Sequence, residues 1–175
     1  MNKQVWIEKA LGLGIQEFEI YQSTTVEKEM TWFQGQMDTL VSSKVTGTSI
    51  RGIVDGKMAN MALEEVDDDQ CEIILKSLIE QAHIISNEET DSLRKPEPIE
   101  YVKKDVTWNM ASTEYVKDIL QSLEAKILAY DPRVIQVGYL GYSQGSGSRS
   151  IVNSLGMDVQ DFDEMQYIVA SVVVK

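Results

Sequence analysis

The sequence predicts an α+β fold with two antiparallel sheet units, each covered by a long helix. Three observations support this prediction. In several segments apolar side chains alternate with polar ones at every second residue, as they do in half-buried strands. Two longer segments carry an apolar stripe with the spacing of an α-helix. The elements come in groups (a helix, several strands, a helix, a connector, a helix, several strands), and this grouping indicates an α+β fold.

The first part of the chain is predicted to be a helix followed by an antiparallel meander. Residues 2–13 have helical spacing, and Gly12 and Gly14 mark the end of the helix. The pair Asp55-Gly56 predicts a two-residue hairpin, because both turn positions need a positive φ. The strands of the meander are predicted over residues 17–25, 26–33, 37–45, 48–54 and 57–63.

The next helix is predicted over residues 68–86, where one apolar stripe contains Cys71 and Leu78. The acidic run at 64–69 precedes it. Acidic charge favours a helix start because it faces the positive end of the helix dipole, and an Asp side chain can cap free N–H groups. A connector is predicted to follow this helix, with one short extended stretch over residues 101–108.

The second part repeats the pattern of a helix and strands. Ser112 is a predicted N-cap, and Asp131-Pro132 stops the helix 113–130. The predicted strands are 134–142, 149–154 and 165–174, separated by a glycine- and serine-rich turn at 141–147 and an acidic loop at 158–164. If the last strand lies at the edge of a sheet, it can accept an extended peptide as an added strand.

The length of 175 residues suits a single domain. We expect sub-units at about 1–87 and 110–175, joined by the connector 88–109. The chain reaches its last residue within its most apolar strand, whereas natural termini are more often polar and loosely held. We therefore expect residues 1–175 to be the N-terminal domain of a larger protein whose C-terminal half is missing here.

The charge balance restricts the partners. Lys and Arg number 16 and Asp and Glu 28, which gives a net charge of −12. This balance disfavours nucleic acid and anionic membranes, because both attract basic surfaces. The sequence has no apolar run of the roughly 20 residues that span a bilayer. We expect a cytoplasmic protein with neither a nucleic-acid nor a membrane partner.

Residues 141–145 match G-x-S-x-G, the nucleophile elbow of α/β-hydrolases, with Ser143 as the nucleophile. That elbow needs a following helix and a later histidine, but His83 is the only histidine and precedes it. We therefore expect a hairpin loop here. The glycines 138, 141, 145 and 147 lack the G-K-[ST] of a phosphate loop.

The other candidate residues also have simpler interpretations. One cysteine and one histidine cannot build a closed zinc site, so Cys71 is expected to be a small buried hydrophobe and His83 to border the core. A set of acids resembles hard-cation ligands but lacks EF-hand spacing, so a solvated loop is expected. These acids are Asp158, Asp161, Asp163 and Glu164. No catalytic, cofactor-binding or metal-ligating residue is predicted in this chain.

Short glycine-marked motifs give the chain a family resemblance. The segment 47–52 followed by 55–59 (GTSIRG, then DGKMA) resembles the "G-x-x-x-R, then D-G-x-x-x" hairpin of the PmbA/TldD family. The helix 68–86 occupies the place of the family helix that follows. The segment 152–156 (VNSLG) resembles the family's "N-S-x-G" turn, and the alternating strand 167–174 follows it. The resemblance is to an N-terminal domain and is closer to the PmbA (TldE) subgroup than to TldD.

The resemblance implies a cytoplasmic protein that forms a homo- or heterodimer with a family subunit. In this family the TldD type is a zinc peptidase whose H-E-x-x-x-H motif lies in the C-terminal half, and the PmbA type lacks working metal ligands and acts as its partner. The label "modulator of DNA gyrase" also belongs to the family, but the charge of −12 argues against DNA binding. The present sequence contains no H-E-x-x-x-H, so that motif would lie beyond residue 175.

Two functions follow from these observations. In the first, the chain is a non-catalytic N-terminal domain, the structural and partner part of a zinc-peptidase system that processes or degrades peptides. Any zinc would then belong to the missing C-terminal half. In the alternative, the chain is a free-standing α+β binding or assembly module without a peptidase role.

Overall fold

The computed structural model describes residues 1–86, 90–98 and 110–175. A short 3-10 helix, Asp68–Gln70, precedes the second α-helix. The helices and strands of the described residues are α1 (Lys3–Gly12), β1 (Glu17–Phe33), β2 (Gln36–Val54), β3 (Lys57–Leu63), α2 (Cys71–Ile84), α3 (Thr113–Tyr130), β4 (Val134–Asn153) and β5 (Asp158–Val174). The extended stretch predicted at 101–108 lies outside the described residues.

The five strands form one antiparallel sheet in the order β3-β2-β1-β4-β5, and with the helices they confirm the predicted α+β class. The two predicted sheet units thus belong to a single sheet. The predicted hairpin at Asp55-Gly56 is present: Val54 pairs with Lys57, and the register continues to Thr48 and Leu63. Both turn residues have positive φ, 49° for Asp55 and 73° for Gly56.

The residues divide into two compact units. Unit 1 comprises residues 1–24, 46–102 and 148–162, and unit 2 comprises residues 25–45, 103–147 and 163–175. Strands β1, β2, β4 and β5 therefore contribute residues to both units.

The core of unit 1 lies between helices α1 and α2 and the strands β1 to β3. Side chains at every second strand position, such as Phe18 and Ile20, contact the helices. The Asn2 side chain caps α1, and Asp67 caps the short 3-10 helix before α2, as the acidic run predicts. The fully buried members of this core include Trp6, Ala10, Phe18, Ile20, Ile50, Cys71, Leu75, Leu78 and Ala82.

The core of unit 2 lies between α3 and strands β1 and β4. It contains Met30, Trp32, Val116, Leu120, Val137, Leu140 and Tyr142. The predicted cap is present, since Ser112 Oγ accepts from Tyr115 N at 3.1 Å. Leu128, near the C-terminal end of α3, is 43% exposed.

The strands are longer than the sequence predicts. Strands β1 and β2 each run without interruption through two predicted strands. The turn predicted at 141–147 is wrong: these residues lie within β4, which has a neighbouring strand on each side. The acidic loop predicted at 158–164 is also wrong, because these residues begin β5. In both places strand pairing overrides local turn propensity.

Packing of Tyr139 compensates for the missing side chain of Gly141 within β4. Its ring lies against Gly141, where an added Cβ would clash with the aromatic atoms. An aromatic side chain over a strand glycine supplies the packing that the glycine lacks.

Candidate functional site

The residues that carry the family resemblance meet in unit 1. Arg51 of the first motif contacts Glu19, a β1 residue that is 3% exposed. Arg51 Nε donates to Glu19 Oε1 at 2.7 Å, and Arg51 Nη2 lies 2.6 Å from the same oxygen. The guanidinium is thus fixed by a buried carboxylate while 42% of the Arg51 side chain stays exposed.

Asn153 of the second motif completes this cluster. Its Nδ2 donates to Glu19 Oε2 at 3.2 Å and to the backbone oxygen of Arg94 at 2.9 Å. Its Oδ1 accepts from the backbone N–H groups of Leu155 and Met157, both at 3.0 Å. Asn153 therefore ties β1 both to the turn after β4 and to the segment 90–98.

The Arg51–Glu19 pair borders a depression of about 270 Å³ that is lined by Glu19, Tyr21, Ser49, Arg51 and Ile151. It offers a guanidinium and two hydroxyl groups, which suit hydrogen bonding to an acceptor. An arginine stays protonated at all ordinary pH values and does not act as a general base. The geometry therefore suits structural support or binding better than proton transfer.

Glu17 secures the segment 90–98 in the same unit. Its carboxylate accepts from Leu93 N at 2.6 Å and from Ser92 Oγ at 3.1 Å. Asp91 N donates to Gly56 O at 2.9 Å, and Met58 N donates to Asp91 Oδ2 at 3.0 Å. These described connector residues are thus held by strand ends, and Leu93 is buried.

Ser143 does not form a nucleophile elbow. It lies in the middle of β4, and the strand continues to Asn153 with no helix after the serine. The hairpin loop expected at this position is therefore replaced by a continuous strand, which likewise lacks the sharp strand-to-helix turn of the hydrolases.

His83 and Cys71 occupy different environments on α2. The His83 side chain is 56% exposed, with Nε2 3.6 Å from Asp55 Oδ2. Cys71 is fully buried in the core of unit 1, as its place on the apolar stripe predicts. Burial raises the pKa of the Cys71 thiol, which disfavours the reactive thiolate.

The acids at 158–164 lie along an extended strand and do not converge. Asp158, Asp161 and Asp163 are exposed. Burial raises the pKa of Glu164, whose Oε1 has no hydrogen-bond partner among the described residues. Across residues 1–86, 90–98 and 110–175, no three His, Cys, Asp or Glu side chains lie close enough together to hold a metal ion.

Unit 2 exposes the most conspicuous apolar surface. Nearly every residue of β5 is exposed, including Tyr167 and Val169. The exposed apolar residues of unit 2 in β2 are Met37, Leu40, Val41 and Val45, and those in β5 are Met165, Tyr167, Ile168, Val169, Val172, Val173 and Val174. Large exposed apolar patches mark interaction surfaces in folded proteins.

Two functional features were missed at the sequence level. Glu19 and Glu124 are buried acids, and their residue type gives no sign of burial. The only available signal was positional, since Glu124 is on the inner face of a predicted helix.

No helix within the described ranges is both long and apolar enough to cross a membrane.

Family models match most of the chain. Residues 18–86 match the model described as PmbA/TldA metallopeptidase domain 1, and residues 107–175 match the model described as PmbA/TldA metallopeptidase central domain. No curated protein matches the chain significantly in sequence.

Solved structures show the same fold. TldE from Thermococcus kodakarensis superposes with a TM-score of 0.81 at 19% identity, over 99% of this chain and 39% of that one. A Thermotoga maritima protein that its name links to modulation of a DNA gyrase gives 0.80 at 18% identity, again over 99% and 39%. A similarly named protein from Bacteroides thetaiotaomicron gives 0.74 at 17% identity, over 98% and 40%. The chain thus spans about two fifths of each of these proteins.

The two family models are consecutive along the chain, and the Arg51 and Asn153 motifs meet at one carboxylate. The fold agrees with solved structures from three organisms. The chain therefore belongs to the PmbA/TldD family.

Proposed function

We propose that this chain is the non-catalytic N-terminal part of a PmbA/TldD-type protein and belongs to a cytoplasmic zinc-peptidase system that processes or degrades peptides. Its role there is structural: it forms a contact with a family subunit, as a homo- or heterodimer, and helps to wall the chamber that receives peptides. The match of both segments to metallopeptidase family models supports the link to peptide hydrolysis.

The exposed apolar surface of β5 is the observation that supports the proposed contact with a partner. Both faces of this strand are exposed, from Met165 to Val174. Because apolar side chains gain free energy when they leave water, such a surface favours association with another protein surface. In the sheet order β5 is also an edge strand, which leaves one row of its backbone hydrogen-bonding groups for a partner.

Zinc does not fit the described residues. Zinc sites use three or four His, Cys or carboxylate ligands around one point, and the described residues contain no such group. Any zinc of the proposed system is therefore held by residues other than 1–86, 90–98 and 110–175 of this chain.

A reconstitution experiment tests the proposal. The purified chain is incubated with an unstructured peptide and Zn²⁺, alone and together with a TldD-type subunit from the same organism. We expect no hydrolysis by the chain alone, and a stable complex with the family subunit in light scattering coupled to gel filtration.

Two results would overturn the proposal. Peptide hydrolysis by the chain alone, abolished by a chelator, would show that it is catalytic. If no family subunit binds the chain, the partner role is wrong, and a free-standing binding or assembly module becomes the better description.

A further inference from the structure

We propose that the depression beside Arg51 binds a carboxylate that carries an apolar group, as the C-terminal residue of a peptide does. The outer edge of the Arg51 guanidinium receives the carboxylate, and the apolar group lies toward Ile151. This inference deepens the proposed function and rests on it only for the source of the carboxylate, a peptide. The binding itself requires neither zinc nor a partner subunit.

The depression lies on the face of the sheet opposite to helices α1 and α2. Phe18 and Ile20 of β1 and Ile50 of β2 belong to the core beneath these helices. Because successive strand residues point to opposite faces, the residues next to them point away from the helices. These residues are Glu19, Tyr21, Ser49 and Arg51. Strand β1 lies between β2 and β4, so Ile151 of β4 lines the same depression.

Glu19 orients Arg51 and leaves one edge of its guanidinium available. Nε and Nη2 both approach Glu19 Oε1, at 2.7 Å and 2.6 Å, so the edge between these two nitrogens is occupied. The remaining edge consists of Nη1 and the second N–H of Nη2, and Nη1 bonds to no residue in the described part of the chain. Guanidinium groups bind carboxylates through two adjacent N–H groups of this kind. Since 42% of the side chain is exposed, a ligand can reach this edge.

The other polar groups of the depression are also donors. Within the described ranges, neither Ser49 Oγ nor Tyr21 Oη has a hydrogen-bond partner. Both Glu19 oxygens are in use, Oε1 with Arg51 and Oε2 with Asn153 Nδ2 at 3.2 Å. The groups left for a ligand can therefore all donate, which suits an ionised carboxylate because it only accepts.

The charges of the site favour a ligand with a single negative charge. Among the described residues that line the depression, Arg51 carries the positive charge and Glu19 the negative one. A dianion such as phosphate would lie near the Glu19 carboxylate, on a chain whose net charge is −12. A cation would find both oxygens of that carboxylate already bonded.

The size and lining of the depression restrict the rest of the ligand. Its volume is about 270 Å³. Pockets for small molecules usually measure about 300–1,000 Å³, so this one suits a single terminal residue better than a larger ligand. Ile151 gives the depression an apolar wall, which favours an aliphatic side chain next to the carboxylate.

A titration followed by NMR tests this inference. N-acetylvaline and an acetylated tetrapeptide that ends in valine are each added to the chain at constant ionic strength, and the Nε–H signal of Arg51 is followed. We expect this signal to shift to saturation with a dissociation constant of about 1 mM. Arg133 is the matched control, because its Nε also donates to a carboxylate, Asp131 Oδ1 at 3.0 Å. Its signal should not move.

Two further ligands test the chemical class. The same tetrapeptide with a C-terminal amide keeps the side chain and loses the charge. We expect it to bind at least about tenfold more weakly, because charge-assisted hydrogen bonds are about twice as strong as neutral ones. Inorganic phosphate should also bind more weakly than N-acetylvaline. The carboxylate assignment is wrong if the amide or phosphate binds as tightly as the acid.

Substitutions test the site without breaking its ion pair. Ser49→Ala and Tyr21→Phe each remove one hydroxyl donor and should raise the dissociation constant about threefold to tenfold. Ser42→Ala and Tyr130→Phe make the same changes at exposed residues of unit 2 and should leave the constant unchanged. Circular dichroism checks that all four variants remain folded. Unchanged affinity in both Ser49→Ala and Tyr21→Phe would overturn the proposed geometry.

The remaining outcomes separate this inference from the proposed function. If no carboxylate shifts the Arg51 signal yet the chain binds a TldD-type subunit, the inference is wrong and the proposed function stands. If carboxylates bind but no family subunit does, the site stands and the proposed function is wrong. Binding of N-acetylvaline without binding of the tetrapeptide would overturn the peptide as the source of the carboxylate.

Discussion

The guanidinium of Arg51 and the carboxylate of Glu19 form a contact in which two nitrogens approach one oxygen, Nε at 2.7 Å and Nη2 at 2.6 Å. Glu19 retains 4% side-chain exposure in this pair. Breaking a buried charge pair costs more than forming it gains, because the remaining partner is left desolvated.

Arg51→Met is therefore expected to destabilise the protein by about 2–3 kcal/mol, less than for a fully buried pair because the arginine is partly exposed. Urea denaturation followed by circular dichroism measures the change. Arg94→Met is the matched control, since the Arg94–Glu97 pair is mostly exposed and is worth at most about 1 kcal/mol. Equal losses in the two variants would contradict the importance of burial.

A buried acceptor on α3 gives a second prediction. Glu124 Oε2 accepts from Trp32 Nε1 at 2.8 Å and from Gly35 N at 3.0 Å. Glu124→Leu leaves both donors without this acceptor and is expected to cost about 2–4 kcal/mol in unfolding free energy. Glu124→Gln keeps an acceptor oxygen and should cost about 1 kcal/mol. If the leucine variant is as stable as the glutamine variant, these hydrogen bonds contribute little.

Asp68 provides a prediction on pH. The hydrogen bond from the Trp6 indole, Nε1 to Oδ1 at 2.7 Å, together with the Asn2 N–H, holds the pKa of Asp68 below its ordinary value of 3.8. A lowered pKa in the folded state means that ionised Asp68 stabilises the fold above the unfolded value, and this stabilisation is lost as pH falls through the folded pKa.

Asp68→Asn should therefore lower Tm at neutral pH, and its difference from the parent should shrink in strong acid. Asp118→Asn makes the same change at an exposed site on α3 and should leave Tm nearly unchanged at every pH. Thermal scans across pH measure both. A pH-independent deficit for Asp68→Asn would show that its charge is not the cause.

Gly52 gives a packing prediction. A Cβ added there would lie 2.9 Å from Ile15 Cγ2 and 3.0 Å from Leu78 Cδ2, both in the core of unit 1. Gly52→Ala is therefore expected to cost about 1–3 kcal/mol through overpacking. Gly12→Ala meets no atom within 4 Å at the end of α1 and should be neutral or stabilising by up to about 1 kcal/mol. Chemical denaturation that ranked the two variants in the opposite order would contradict the packing.

Local signals predicted those elements that depend on neighbouring residues. The helix 113–130 has the predicted ends because Ser112 and Asp131-Pro132 act within one turn of it. The Asp55-Gly56 hairpin has the predicted turn for the same reason. The turn predicted at 141–147 is wrong because this segment pairs with a strand on each side. One of these strands, β1, lies far away in sequence, and the pairing outweighs the turn propensity of the glycines.

The cluster at Glu19 could be predicted only in part. The motifs at Arg51 and Asn153 were identified from their glycine spacing, but nothing in the sequence shows that they meet. Their common partner is an acid that alternates with apolar residues in β1, a pattern that resembles any half-exposed strand. Burial of such an acid depends on three-dimensional packing, which a periodicity does not record.

The hydrogen bond between Glu19 and Asn153 joins residues 134 positions apart. During synthesis β1 therefore emerges long before β4, and the sheet cannot be completed between them until β4 is made. Contacts of such long sequence separation slow folding, because the chain loses loop entropy before they form. The nascent chain thus passes through a period in which the β1 side of the sheet is open, and chaperone binding in that interval would protect it.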